Sequence, residues 1–256
     1  VALIQDAGAL VARFKRYVLY LGLYVLLVSV VVFPFTGNLI VRMARDLLPP
    51  QQYAGEIYSL IQTQPLELMM LELKLSFIAG FIAALPIAFF YAYRFLAGRR
   101  VRGYRISGPK LLLATAVALV LFAVGCAYSY YLMLPLVFRY LMDSALAAGV
   151  ANSWKVSEFV NFAMLTTLVF GLVFELPLVM TTLARAHIVP VAVFRKYRRH
   201  MYVVILIVAA LVTSPDVLTQ IMVGIPLIIF YELSLLILRF TAPRDVPQQQ
   251  APASAR

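Results

Sequence analysis

Glu175 is the residue of this sequence whose placement most demands a chemical reason. It stands in Gly171-Leu-Val-Phe-Glu175-Leu-Pro177, deep in an otherwise uncharged run from Phe159 to Ala184. A carboxylate placed in hydrocarbon costs on the order of 3 kcal/mol or more, so it must face a cavity, meet a partner or stay protonated. Two readings follow. The acid is a functional polar centre, or it is a neutral acid bonded to a neighbouring helix. Pro177 cannot complete the helical ladder, so a bend is expected beside it. Glu232 follows Tyr231 in a later apolar run. It lies nearer the end of its run, and a structural pairing with an arginine or with headgroups is expected. Asp216, Thr219 and Gln220 cluster after Thr213-Ser214-Pro215. Asp216 can cap the helix that follows, and the cluster could also offer hydrogen bonds to a partner helix.

Other chemistries lack their residues. The single cysteine, Cys126, allows no intramolecular disulfide. His187 and His200 leave little for a metal centre and read as solvated loop residues. There is no nucleophile–base pair and no Walker lysine motif. Neither an enzyme nor a bound cofactor or metal is expected.

The elements that hold these residues are set by hydropathy. Of 256 residues, 63% are hydrophobic and 13% charged, far from the balance of a soluble domain. A bilayer core of roughly 30 Å needs about 20 apolar residues of helix. Runs of suitable character cover 17–35, 75–93, 111–138 and 159–184, with shorter ones over 201–215 and 221–238. Six crossings are therefore expected, with short fifth and sixth helices that thin the bilayer or lean on neighbours. Pro34, Pro86, Pro135, Pro177 and Pro226 imply bends, and together suggest a concave bundle. Tyr128, Tyr130 and Tyr131 pack between helices or mark the outer interface. The fold class is all-α and polytopic.

Charge gives the orientation. Most of the 22 basic residues fall in four places: Arg13 to Arg16, Arg94 to Lys110, Arg185 to Arg199, and the tail from Arg239. The two central loops carry no acid. The positive-inside rule then puts both termini in the cytoplasm, in an inner membrane. The net charge of +11 is mostly topology, and nucleic acid is not an expected partner. Gly37 to Met70 reads as the first outer segment, with a helix stop at Pro49-Pro50 and Pro65 in the first turn of the next helix. Ala145 to Val156 and Ser214-Pro215-Asp216 read as the other outer connections. Residues 1–240 form one membrane domain, and 241–256, rich in Pro and Gln, form a disordered cytoplasmic tail. The sequence begins at Val1 and shows no cleavable signal-peptide pattern. No internal repeat is visible, which argues against an ion-coupled solute transporter using Glu175.

Several motifs, taken in order, resemble one family. They are Phe33-Pro34-Phe35, Pro65-Leu66-Glu67 with Lys74 and Gly80, and Gly125, Tyr128, Tyr130, Tyr131 and Pro135. More specific are Phe174-Glu175-Leu176-Pro177, Phe194-Arg-Lys-Tyr-Arg-Arg199, Thr213-Ser-Pro-Asp-Val217 with Gln220, Ile225-Pro226 and Tyr231-Glu232. The chain resembles TatC, the multi-spanning core of the twin-arginine (Sec-independent) protein translocase. The resemblance implies export of folded proteins driven by the proton-motive force. It implies binding of twin-arginine signal peptides and of single-span TatA- and TatB-type partners within a larger membrane complex, in lipid, with homo-oligomers possible. It further implies that Glu175 is the intramembrane glutamate on the concave side, that Thr213 and Gln220 belong to the partner-docking region, and that Pro215 and Asp216 form its outer turn. The two glutamates with which that family reads the arginine pair have other residues here. Arg13 takes the place of one and Tyr104 the approximate place of the other, and Gly98 replaces a proline. A cationic surface repels an arginine pair. Signal reading is therefore expected to be altered or supplied by another copy. The alternative is a TatC-like structural subunit of another membrane complex.

Overall fold

A computed structural model describes residues 2–48, 59–62, 64–98, 108–149, 153–186, 188–213 and 216–241. Ten helices dominate it. In chain order they are α1 (Ala2–Val32), α2 (Thr36–Leu47), α3 (Glu67–Gly98), α4 (Gly108–Tyr128), α5 (Leu134–Ala147), α6 (Val156–Phe174), α7 (Leu176–Arg185), α8 (Val191–Lys196), α9 (Arg198–Val212) and α10 (Val217–Thr241). Two three-residue strands, β1 (Ser59–Ile61) and β2 (Ser153–Lys155), pair in parallel with Leu60 opposite Trp154. This small ladder is an addition to an otherwise all-α fold. It joins the segments that lead into α3 and α6.

Proline decides where the long rods break. Pro34 sits in a 3-10 turn, Phe33–Phe35, between α1 and α2. Pro135 lies in the first turn of α5, just after a π-helical stretch over Ser129–Met133. Pro177 lies in the first turn of α7, just after Glu175. In each case the missing N–H falls where a new helix needs none. Pro86 and Pro226 behave differently, since α3 and α10 run through them.

Among the described residues, five helical segments are long and apolar enough to cross a bilayer: Tyr17–Leu47, Glu67–Leu85, Leu112–Ala147, Val156–Arg185 and Val217–Thr241. The fifth expected span, α9, has 15 residues. It reaches only about 22 Å, so it falls short, as its sequence suggested. The last helix corrects its expectation. At 25 residues α10 is a full-length span, because Asp216 starts it early and neither Pro226 nor Glu232 stops it. Two smaller differences lie on the connections. The segment after Phe35 forms α2, whose buried Ile40, Met43 and Leu47 recur at helical spacing. Pro65 lies in the turn before α3 rather than inside its first turn.

Packing falls into two clusters. One gathers Ile40, Met43, Leu47, Leu71, Leu134, Phe138, Phe159 and Val160 from α2, α3, α5 and α6. The other gathers Phe170, Met180, Ile205, Ala209, Val223, Leu227, Tyr231 and Leu238 from α6, α7, α9 and α10. Helices α1 and α3 meet closely at Gly80. A Cβ there would lie 2.5 Å from Ser29 Oγ and 2.6 Å from the Val25 carbonyl. Arg185 at the end of α7 donates to the Thr241 carbonyl at the end of α10, 3.2 Å away, so these two ends are level. That level, beside the arginine-rich segments, is called the basic end below.

Candidate functional site

Glu175 sits at the break between α6 and α7. Its N–H donates to the Leu172 carbonyl at 3.1 Å, a tightened turn, and its carbonyl accepts from Val179 at 3.0 Å. The break exists because Pro177 has no N–H to offer the Val173 carbonyl. The side chain points into the protein. Glu175 is only 2% exposed, and among the described residues neither carboxyl oxygen has a partner at normal hydrogen-bond distance. The backbone of Phe122 in the neighbouring α4 lies beside the carboxyl.

One helical turn before this acid, α6 crosses α4 at small residues. A Cβ on Gly125 of α4 would come within 2.8 Å of the Phe170 carbonyl and 2.9 Å of the Gly171 Cα. A Cβ on Gly171 would come within 2.6 Å of the Phe122 ring. The helices can therefore approach only because both positions are glycine. Aromatic rings close the adjoining space. Phe174 lies 4.0 Å, centroid to centroid, from Phe230 of α10, and Tyr128 packs on Phe170, Phe174 and Phe230. Thr166 Oγ1 is the other buried side-chain oxygen without a partner among the described residues. Its neighbour Thr167 is satisfied, donating to the Ala163 carbonyl at 2.7 Å.

Glu232 is held in the opposite manner. Its Oε1 lies 2.9 Å from Arg198 Nε and also accepts from the Tyr202 hydroxyl. The same guanidinium donates to Tyr202 at 2.7 Å. The structural pairing expected for Glu232 is thus present, and Arg198 is its arginine. Next to it, the Tyr231 hydroxyl donates to the Phe194 carbonyl of α8 at 3.2 Å.

The turn between α9 and α10 carries the third set. Asp216 caps α10, accepting from the Leu218 and Thr219 N–H groups at 3.3 and 3.1 Å. Thr213 is buried and donates to Ala209 of its own helix at 2.9 Å. Gln220 Nε2 donates across to the Leu206 carbonyl of α9 at 3.1 Å. Thr213, Asp216 and Gln220 are thus gathered at one turn, and Glu175 is not among them. Along α7, Glu175 lies about 15 Å from the basic end, whereas Gln220 lies about 31 Å from it along α10. Arg13 lies on α1. Its side chain falls outside the described residues, as do Tyr104, Pro215, His187 and the tail beyond Thr241. His200 is exposed in the first turn of α9.

Sequence reasoning did not find Glu67 as a bridge. Its carboxylate accepts from the Ser157 hydroxyl and N–H at the start of α6, and from the Gln64 N–H at the start of α3. The signal was an acid in the first turn of a helix, but its second partner lies 90 residues away. The bond from Tyr130 to Asp46, at 3.0 Å, was missed for the same reason.

Comparison with known proteins adds three findings. Residues 10–226 match a family model described as Sec-independent protein translocase protein (TatC). The chain is 36% identical over 182 residues to TatCt of Haloferax volcanii, covering 71% of this chain but 25% of that protein. It is 34% identical over 190 residues to TatC of Helicobacter pylori strain 26695, covering 73% of each. Its fold matches a crystal structure described as the twin arginine translocase receptor TatC, with a TM-score of 0.79 at 22% identity, over 90% of this chain and 98% of the other.

Proposed function

We propose a translocase role from one premise: this chain belongs to the TatC family of Sec-independent protein translocase proteins. Members of that family are multi-pass membrane proteins, and five of the segments described above have the length and apolarity to cross a bilayer. In the proposed role the chain is the multi-spanning subunit that moves folded proteins across the inner membrane at the expense of the proton-motive force. It crosses six times, α9 included, with both termini cytoplasmic, residues 1–240 as one membrane domain and 241–256 as a cytoplasmic tail. The arginine-rich segments supply the support for that orientation.

One observation carries the mechanistic part of this reading. Glu175 is an acid enclosed in the bundle with no partner among the described residues. An unsatisfied buried polar group costs several kcal/mol in hydrocarbon. Such a cost is compensated when the group finds its partner in another state. In the proposed mechanism that state forms when a single-span TatA- or TatB-type helix, or a signal peptide, docks and separates α4 from α6 near Gly125. Thr213 and Gln220 form a second docking level near the opposite face, where the short α9 leaves the bilayer thin. Gln220 already reaches across the helix pair, so a partner helix competes for the same hydrogen bonds.

The test is export in a strain lacking its own TatC. Wild type is expected to restore export of a folded twin-arginine cargo, and Glu175→Ala to lose both export and co-purification of single-span partners. Unchanged partner recovery in Glu175→Ala would remove the role given to that residue. The second reading, a structural subunit without signal recognition, is favoured by Arg13 and Tyr104 at the positions of the family's glutamates. Failure of wild type together with failure of the Arg13→Glu, Tyr104→Glu double variant would select it.

A further inference from the structure

A cleft of about 70 Å³ lies where the two packing clusters meet, at the end of the bundle away from the basic end. Its walls come from α5, β2, α6 and α10. Phe138 stands between Trp154 and Phe159, with ring centroids 5.5 and 4.8 Å apart, and Phe162 meets Phe138 edge-on at 5.5 Å. Buried Thr219 closes one side, and Glu158 stands at the rim.

Depth places this cleft. Phe138 lies about 39 Å along the helix from Leu112, Phe159 about 39 Å from Arg185, and Thr219 about 33 Å from Thr241. All three distances exceed the roughly 30 Å hydrocarbon core, which puts the cleft toward the membrane surface opposite the basic end. Tryptophan at this level is ordinary for a membrane protein. A pair of exposed opposite charges beside an aromatic cleft is not required by packing. Lys155 Nζ lies 3.6 Å from Glu158 Oε1, with side chains 51% and 72% exposed. A pair so solvated holds weakly, and each partner can turn to a better one.

We propose that this cleft binds the headgroup of a zwitterionic phospholipid with a primary ammonium, of the phosphatidylethanolamine type. The ammonium lies against the Glu158 carboxylate and the aromatic rings, which attract a cation. The phosphate, two carbons away in such a headgroup, meets Lys155. The cleft offers Glu158, and Lys155 stands just outside its lining as that acid's partner, a pairing that matches a zwitterion better than an anionic lipid, whose phosphate would be repelled by Glu158. The small volume suits an ethanolamine group. The inference rests on the chain lying in a bilayer and not on the translocase reading.

Trp154 is the only tryptophan of the chain, so its emission reports this site alone. The full-length protein in detergent is titrated with short-chain phosphatidylethanolamine and, separately, short-chain phosphatidylglycerol. The expected result is a saturable change for both, with phosphatidylethanolamine roughly tenfold tighter. Glu158→Gln is expected to erase that preference, and Lys155→Gln to weaken phosphatidylethanolamine. Both side chains are exposed, so the variants keep the fold, and an unchanged starting emission spectrum verifies it. Free ethanolamine phosphate, lacking chains, is expected to leave the emission unchanged at the same concentrations. Equal affinity for the two lipids, a preference that survives Glu158→Gln, or an equal response to the chainless headgroup overturns the proposal.

Discussion

Glu175 and Glu232 lie at nearly the same depth, about 15 and 13 Å from the basic end along their helices, yet they are kept in opposite ways. Glu232 sits on the seam between α9 and α10, one-third exposed, with a guanidinium and a phenol as partners. Glu175 sits one turn after a glycine crossing, closed over by aromatic rings, with no partner among the described residues. The first acid ties two helices together. The second has no such tie to a side chain among the described residues. Burial alone therefore does not distinguish a structural acid from a functional one; the state of its hydrogen bonds does.

The hardest test of that contrast is Glu175→Leu. It is expected to abolish translocation while raising thermal stability in detergent, by roughly 1–3 kcal/mol, the usual cost of an unsatisfied buried group. A fall in the melting temperature would mean that the carboxyl is bonded at rest, and the contrast with Glu232 would break. Gly125→Val should act in the reverse sense on stability. The added methyls meet the Phe170 carbonyl and Gly171 backbone, which cannot withdraw, and the loss is expected to be about 1–3 kcal/mol by thermal melting. If Gly125→Val melts like wild type, the crossing is looser than described.

Smaller effects sharpen the Glu232 side. Tyr231→Phe removes the bond to the Phe194 carbonyl and is expected to cost about 1 kcal/mol, since the ring keeps its packing and only the hydroxyl is lost. Glu232→Gln should lower stability least, and less at high salt than at low, because Arg198 is exposed and its pairing is screened. A loss as large as that of Gly125→Val would show that the seam, and not the glycine crossing, dominates this half of the molecule.

Sequence reading reached much of this arrangement, and its limits have a pattern. The bend at Pro177, the capping by Asp216 and the pairing of Glu232 were each legible, because each depends on residue type within one or two helical turns. The length of α10 was underestimated because hydropathy marks the greasy centre of a helix and not its polar first turn. The absence of a partner for Glu175, the meeting of Glu67 with Ser157 and the bond from Tyr130 to Asp46 were not legible. Each joins positions 84 or more residues apart, or states that nothing joins them among the described residues. Family likeness gave Glu175 and the pair Thr213 and Gln220 separate roles, and in the structure they lie at two levels.

By itself the sequence determined that this chain is a polytopic helical membrane protein, where most of its rods begin and break, and which segments carry the positive charge. These are sums over single residues, since transfer free energy, proline geometry and charge belong to each residue wherever it stands. Only the tertiary structure decided that Arg198 is the arginine that pairs with Glu232, that Trp154 and Glu158 share a cleft with α10, and that β1 finds β2. Those outcomes depend on the relative rotation and height of helices, set by ring packing and by glycines that allow contact, and two sequences with identical hydropathy could resolve them differently.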